Sequence, residues 1–322
     1  MKATIRVGTR GSRLAIAQTE IALSALRKAH PGVRFEVVTI STKGDVDKRP
    51  LFTMDEKGIF EKEVNEAVKN GDVDFAVHSL KDIPSDLSEE LTVACIPKRA
   101  SPNDVLVNDK RQKLKELAPG SVVGTSSLRR AVRLMRYRPD LNVKPIRGNV
   151  ETRVKKVISG EYGAVVLAEA GLTRIGMKDV IVERFSVRDF VPAPGQGAIA
   201  IVCRKGDKAL TNMLKQIEDP RSRAEVLAER ALVSKVEGGC RFPLGAVAVT
   251  SNNDDNDDDG KMTLYASVFS ADGKRGIKVK KVGKAAEPEK LGNKVADMLV
   301  KQGAMELAEG WRKAVEEWNS RL

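Results

Sequence analysis

The sequence predicts an α/β protein with two related sheet-bearing lobes flanking a cleft, followed by a small α+β domain. Three observations predict it. Apolar, β-branched runs alternate with helical stretches through the first 200 or so residues, as in helices packed on mainly parallel sheets. A strand-to-helix turn occurs twice, as Val7-Gly-Thr-Arg-Gly-Ser12 and as Val123-Gly-Thr-Ser-Ser127, which implies two similar domains facing one cleft. From Pro220 the order changes to helix, three strands and two helices.

In chain order, Thr4 to Val7 reads as a strand, and a helix runs from about Ser12 to His30 with Leu14, Ala17, Ile21, Ala25 and Leu26 on one face. His30-Pro31-Gly32 stops it. Phe35 to Ile40 is a strand, and the polar stretch from Thr42 to Lys57 lacks periodicity and reads as a mobile loop. Ile59 to Lys69 is helical; Phe75 to His78 and Leu91 to Ile96 are strands. The second lobe begins near Pro102, with strands around Val105, Val122-Val123, Val143 to Ile146 and Ala164 to Leu167, and helices at Leu128 to Tyr137 and Val150 to Ser159. The third domain has a helix from Pro220 to Val236, strands Leu244 to Val249, Met262 to Phe269 and Ile277 to Val282, and helices Glu287 to Lys301 and Met305 to Glu317. The expected boundaries are 1–98 with 198–216, 102–192, and 220–322.

Composition removes several function classes. A chain of 322 residues holds two or three domains, and 41% hydrophobic with 31% charged residues is a globular rather than a disordered balance. No apolar run approaches the roughly 18 residues of a membrane span, and the N-terminus has no signal-peptide pattern, so a cytosolic protein without a membrane partner is expected. Three cysteines without a Cys-x-x-Cys pair indicate neither a disulfide framework nor a zinc site. Two histidines, His30 and His78, exclude a multi-histidine metal site, and no metal is expected. The net charge of +12 attracts an anionic partner, either nucleic acid or a polycarboxylate; with aromatics at 4%, stacking on single strands is disfavoured.

The placement of the cations matters more than their number. Both repeated turns put hydroxyls at a helix start with arginines beside them, Arg10 and Arg13 in one and Arg129 and Arg130 in the other. A helix N-terminus presents backbone N–H groups and the positive end of its dipole, so each turn reads as an anion site as well as an N-cap by Ser12 and by Ser126 or Ser127. Arg147, Arg153 and Arg174 continue the pattern at strand ends and in the turns that follow, and guanidinium groups hold carboxylates bidentately. Lys81 and Asp82 follow a buried strand, where site residues of open α/β sheets gather, while His78 reads as a hydrogen-bonded structural residue. Cys95 and Cys203 lie in apolar strands; Cys240 follows two glycines on a loop and is the nucleophile or attachment candidate.

Taken together, GTRGSRLA, DEKGIF, AVHSLKDIP, VGTSSLRR, IRGNVETR, LAEAGLTRIG, PAPGQGAI and AERALVSKVEGGC resemble the porphobilinogen deaminase family, in family order from about residue 5 to about residue 245. The resemblance implies two periplasmic-binding-protein-like lobes and a third domain carrying a dipyrromethane cofactor on Cys240 through a thioether. It implies that Asp82 is the catalytic carboxylate, and that Lys81, Ser127, Arg129, Arg130 and Arg153 hold the cofactor. It implies that Arg10, Ser12, Lys57, Thr125, Arg147, Asn149, Arg174 and Gln196 surround the substrate, porphobilinogen, and the growing chain. The implied reaction is loss of ammonia from porphobilinogen, attack by the free pyrrole carbon of the chain end, four such additions, and hydrolytic release of hydroxymethylbilane, by a monomer that needs no nucleic acid. Departures from the family pattern are Asp55-Glu56 in place of a glycine pair, Pro194 in place of a valine, and the acidic run Asn252 to Asp259. A non-catalytic, two-lobed anion-binding protein would explain the arginines but not Cys240 after two glycines; a nucleic-acid binder would leave both Cys240 and Asp82 without a role.

Overall fold

A computed structural model describes residues 4–46, 59–236, 243–251 and 260–319. The chain forms two compact units, one from 4–46, 59–101 and Gln196–Arg223, the other from Pro102–Gly195 and the described residues after Arg223. No cis peptide occurs among the described residues.

The first unit is built on β1 (Thr4–Arg10), α1 (Arg13–Ala29), β2 (Arg34–Ile40), α2 (Lys43–Val46), α3 (Lys62–Asn70), β3 (Phe75–Ser79), β4 (Leu91–Cys95), β10 (Ile199–Arg204) and α7 (Lys208–Leu214). Its sheet has the order β2-β1-β3-β10-β4. β1 runs parallel to both β2 and β3, whereas β10 is antiparallel to β3 and to β4. One strand of five is therefore reversed. Residues 75–78 of β3 and 199–203 of β10 are all buried, as central strands covered on both faces require.

Helix α1 corrects the sequence reading of its face. The buried residues are Ala15, Gln18, Thr19, Ala22, Leu23 and Leu26, while Ile21 is 46% exposed. The core-facing stripe includes two polar residues because each is bonded. The amide of Gln18 donates to Ser79 Oγ at 2.8 Å, and Thr19 Oγ1 donates to the Ala15 carbonyl at 2.9 Å.

The second unit carries β5 (Asp104–Val107), β6 (Val122–Gly124), α4 (Leu128–Tyr137), β7 (Asn142–Lys144), α5 (Val150–Ile158), β8 (Ala164–Ala168), α6 (Glu169–Arg174) and β9 (Ile181–Arg184). The sheet order is β7-β6-β8-β5-β9. Here too the first three strands are parallel and the fourth, β5, is reversed. The repeated turn motif thus follows the middle strand of a parallel triplet in each sheet, β1 in one and β6 in the other.

Helix α8 (Pro220–Val236) leads to a three-stranded antiparallel sheet of β11 (Gly245–Thr250), β12 (Lys261–Phe269) and β13 (Gly276–Lys284), with α9 (Pro288–Lys301) and α10 (Ala304–Asn319) after it. Leu264, Val268, Leu291, Val295, Leu299 and Trp311 form its core, and Val132 of α4 belongs to the same apolar cluster. Among the described residues, no helix is long and apolar enough to cross a membrane.

Candidate active site

In the first unit the site residues gather at one edge of the sheet because three parallel strands end there. β1 ends on Arg10, and the chain turns directly into α1, where Ser12 is the N-cap and its Oγ accepts from the Ala15 N–H at 3.3 Å. β2 is followed by Thr42 to Val46. The guanidinium of Arg10 forks onto the Asp45 carboxylate, with Nε to Oδ2 at 3.3 Å and Nη2 to Oδ1, and lies 4.4 Å from the centroid of the Phe60 ring. β3 runs into a single turn, Leu80–Asp82, that leaves Lys81 exposed and Asp82 half-buried. The reversed strand β10 starts at the same edge. Its neighbour Ala198 accepts from the Leu80 N–H at 3.0 Å, and this bond fixes the turn that carries Asp82. Gln196, just upstream, is buried, and its carbonyl accepts from Arg99 Nε at 2.9 Å.

Beneath this edge lies a buried polar chain. His78 Nε2 donates to Asn65 Oδ1 at 3.1 Å, and Asn65 Nδ2 donates to Glu61 Oε2 at 2.5 Å. Burial, and then the charge of Arg10, push His78 down to about 4, so it is neutral at physiological pH and carries its proton on Nε2. Burial pushes the Glu61 carboxyl up to about 7 against the Asn65 bond, with the charges of Glu63 and Asp82 adding to the rise. His78 is thus the bonded structural histidine expected from the sequence.

In the second unit the same logic places the remaining candidates. The ends of β6, β7 and β8 deliver Thr125 and Ser127, Arg147, and the helix that ends on Arg174. Of the two serines read as caps, Ser126 bonds Ile146 instead, and Ser127 occupies the N-cap position of α4 without a side-chain cap bond. Thr125 Oγ1 accepts from the Ser127 N–H at 3.2 Å, and the first turn of α4 holds no acidic residue.

Arg129 and Arg130 are buried and share Asp104, which starts the reversed strand β5 opposite Ala168. Arg130 reaches Asp104 Oδ1 from Nε at 2.9 Å and from Nη2 at 2.7 Å, and Arg129 Nη1 reaches Oδ2 at 2.8 Å. Arg129 also donates to the Val191 carbonyl, and Arg130 to that of Val166. Burial lowers the pKa of Arg129 despite Asp104. Asp104 was not legible as a site residue; its only sequence signal is an acid opening an apolar strand.

Arg147 and Asn149 lie in the turn before α5, and Arg153 lies within that helix. Asn149 is the N-cap residue of α5, and Arg153 Nε donates to the Gly148 carbonyl at 2.8 Å. Gly148 has φ +109°, and a Cβ there would stand 2.6 Å from Thr152, so only glycine fits this turn. Arg174 is largely desolvated; burial pushes it down to about 10, which leaves it charged at neutral pH.

Cys95 and Cys203 are fully buried in β4 and β10, and burial pushes the Cys95 thiol up to about 12, so neither suits a nucleophile. Cys240, Lys57, Asp55-Glu56 and the run Asn252 to Asp259 lie outside the described residues. Among the described residues, no cluster of three His, Cys, Asp or Glu side chains is arranged to hold a metal ion.

Comparison with known proteins adds the following. Residues 5–212 match the family described as porphobilinogen deaminase, dipyromethane cofactor binding domain, and residues 223–301 match the porphobilinogen deaminase C-terminal domain. The chain is 53% identical to a probable porphobilinogen deaminase of Nitrosopumilus maritimus over 97% of this chain and 98% of that one. It is 40% identical to the porphobilinogen deaminase of Bacillus subtilis over 98% and 99%. Among solved structures, substrate binding domain 2 of Lactococcus lactis GlnP is similar over 67% of this chain and 88% of its own, at TM-score 0.42 and 16% identity.

Proposed function

Since the chain belongs to the porphobilinogen deaminase family of tetrapyrrole biosynthesis, whose cofactor is dipyrromethane, we propose that it acts as a monomeric cytosolic transferase, joining four porphobilinogen molecules with Asp82 as its catalytic carboxylate. The proposed division of the chain is the three-domain one, with residues 220–322 carrying Cys240 as the attachment point.

The observation that carries this reading is the sorting of charge along the two sheet edges. In the second unit Ser127, Arg129, Arg130, Arg147, Arg153 and Arg174 lie at the ends of parallel strands or in the turns and helices that follow, around a helix start with no acid in its first turn. Such a donor set fits a group rich in carboxylates. Ser127, Arg129, Arg130 and Arg153, with Lys81, would hold the cofactor, which when bound supplies the pyrrole carbon onto which units are added. Arg129 and Arg130 keep Asp104 as a constant partner in this role, and it fixes both guanidinium planes.

The first unit supplies the chemistry. Arg10 and Ser12 would take substrate carboxylates, with Lys57, Thr125, Arg147, Asn149, Arg174 and Gln196 completing the substrate contacts. Deamination places positive charge on the pyrrole nitrogen of the substrate, and coupling passes that charge to the pyrrole of the attacking chain end. A carboxylate held at that point stabilises the charge and can take the proton lost on coupling. Asp82 suits the task because its turn is tied at both ends, by Leu80 N–H to Ala198 and by Ile83 N–H to the Leu80 carbonyl at 3.0 Å. The neutral His78 beneath it adds no competing cation.

The test is intact mass under denaturing conditions. The parent protein should carry a dipyrromethane on the Cys240 peptide; Cys240→Ser should carry none and be inactive, while Cys95→Ser and Cys203→Ser should keep it. An active Cys240→Ser protein without bound pyrroles would overturn the assignment.

A further inference from the structure

The carboxylate that Arg10 holds belongs to the protein itself. Asp45 meets the Arg10 guanidinium through both oxygens, the fork by which an arginine takes a ligand carboxylate. Among the described residues Arg10 also meets the Phe60 ring, a cation–π contact.

Asp45 is held in place for this contact. Its Oδ2 also accepts from the Thr42 N–H at 3.2 Å and from Thr42 Oγ1 at 2.8 Å. Between them, the Gly44 N–H donates to the Ile59 carbonyl at 3.0 Å. A Cβ on Gly44 would fall 2.4 Å from the Phe60 ring, so the segment packs flat against Ile59-Phe60. Burial alone would raise the Asp45 carboxyl, but the bonds from Arg10 and Thr42 outweigh it and hold the group below the usual carboxylate range. The pair is neither sealed nor open: its side chains are 19% and 26% exposed, so a soluble carboxylate can reach and exchange with it.

We propose that Asp45 is an internal competitor for Arg10, a carboxylate that a carboxylate of porphobilinogen must displace, and that Asp45 thereby sets substrate affinity. The proposal rests on the reading of Arg10 as a substrate arginine. An aspartate side chain presents the same group as the acetate and propionate arms of the pyrrole, so the exchange conserves charge and bond count at Arg10. Displacement then subtracts the strength of the Arg10–Asp45 pair from the substrate's binding.

The experiment is single-turnover addition of porphobilinogen to primer-loaded protein, with mass as the readout and half-saturation as the parameter. Asp45→Asn keeps the size but removes the charge, and should lower half-saturation by about two- to fivefold, the worth of a partly exposed pair. Thr42→Val, which removes only the steadying hydroxyl, should shift it the same way by less. In an Arg10→Leu background Asp45→Asn should change nothing. Unchanged or raised half-saturation in Asp45→Asn at the parental melting temperature would overturn the proposal; if that variant melts early, the same result in Thr42→Val would. A fall that persists without Arg10 would also overturn it, because that marks long-range charge rather than competition. Arg10→Leu alone with parental half-saturation would instead remove the premise about Arg10.

Discussion

Replacing Glu61 with glutamine should make the protein more stable at alkaline pH, although it removes a buried hydrogen-bonded acid. Glu61 is 5% exposed, and its pKa stands near 7 against an ordinary 4.5. A folded-state pKa above the unfolded one means that the native state holds the proton more tightly. The resulting stabilisation is fully present below about pH 4.5 and is lost as pH rises through about 7. Two and a half units correspond to about 3 kcal/mol at most, and relaxation around the charged form brings the expectation to about 2 kcal/mol. Glutamine mimics the protonated acid and can still accept from Asn65. Glu61→Gln should therefore match the parent near pH 4.5 and exceed it by about 2 kcal/mol near pH 8. His78 has the opposite sign: with its pKa depressed to about 4, its contribution is full above pH 6.5 and is lost as pH falls through about 4. Between about pH 4.5 and 6.5 the two slopes oppose each other in the parent. The variant should instead gain stability with pH across that window. Urea unfolding of both proteins across this range measures the difference. A stability difference that does not change with pH, or a glutamine variant weaker than the parent at pH 8, would refute the reasoning.

Two other substitutions separate structural from chemical charge. Asp104→Asn leaves Arg129 and Arg130 buried without their shared anion, and should cost about 3–5 kcal/mol, lowering the urea midpoint by about 1–2 M; a midpoint within about 0.3 M of the parent would contradict the assigned network. Asp82→Asn should lose about 10²–10³ in the rate of adding porphobilinogen while still carrying the primer, and Asp82→Glu should retain measurable turnover. An asparagine variant adding units at the parental rate would make Asp82 a turn residue only.

What could be read from the sequence was local. The turns after β1 and β6 are legible because a strand end, hydroxyls and arginines lie within six residues of one another, and both proved to follow the middle strand of a parallel triplet. The face of α1 was misread because periodicity weighs only hydropathy: Gln18 is buried by a bond to Ser79, 61 residues away, while Ile21 faces solvent. The reversed directions of β5 and β10 left no trace, since a buried strand uses the same residues in either direction. Asp104 needs the fold to meet Arg130, 26 residues on, and Asp45 needs it to meet Arg10, 35 residues back.

The reversed strands also explain how one architecture presents two different sets of side chains. In each sheet the reversed strand begins at the edge where the parallel strands end, so its start can anchor what those ends present. In the first unit that anchor is backbone: Ala198, just before β10, accepts from Leu80 and fixes the turn of Asp82. In the second unit the first residue of the reversed strand adds a side chain: Asp104, at the start of β5, takes two guanidinium groups. A buried carboxylate there offsets part of the cost of desolvating two cations and fixes them in orientation. The backbone anchor recurs in the second unit, where the Glu169 N–H donates to the Asn103 carbonyl at 3.0 Å, so the contrast lies in the next residue: Asp104 stands opposite Ala168 where Ile199 stands opposite Ser79. Asp104 is therefore as much a determinant of the second edge as the arginines it holds.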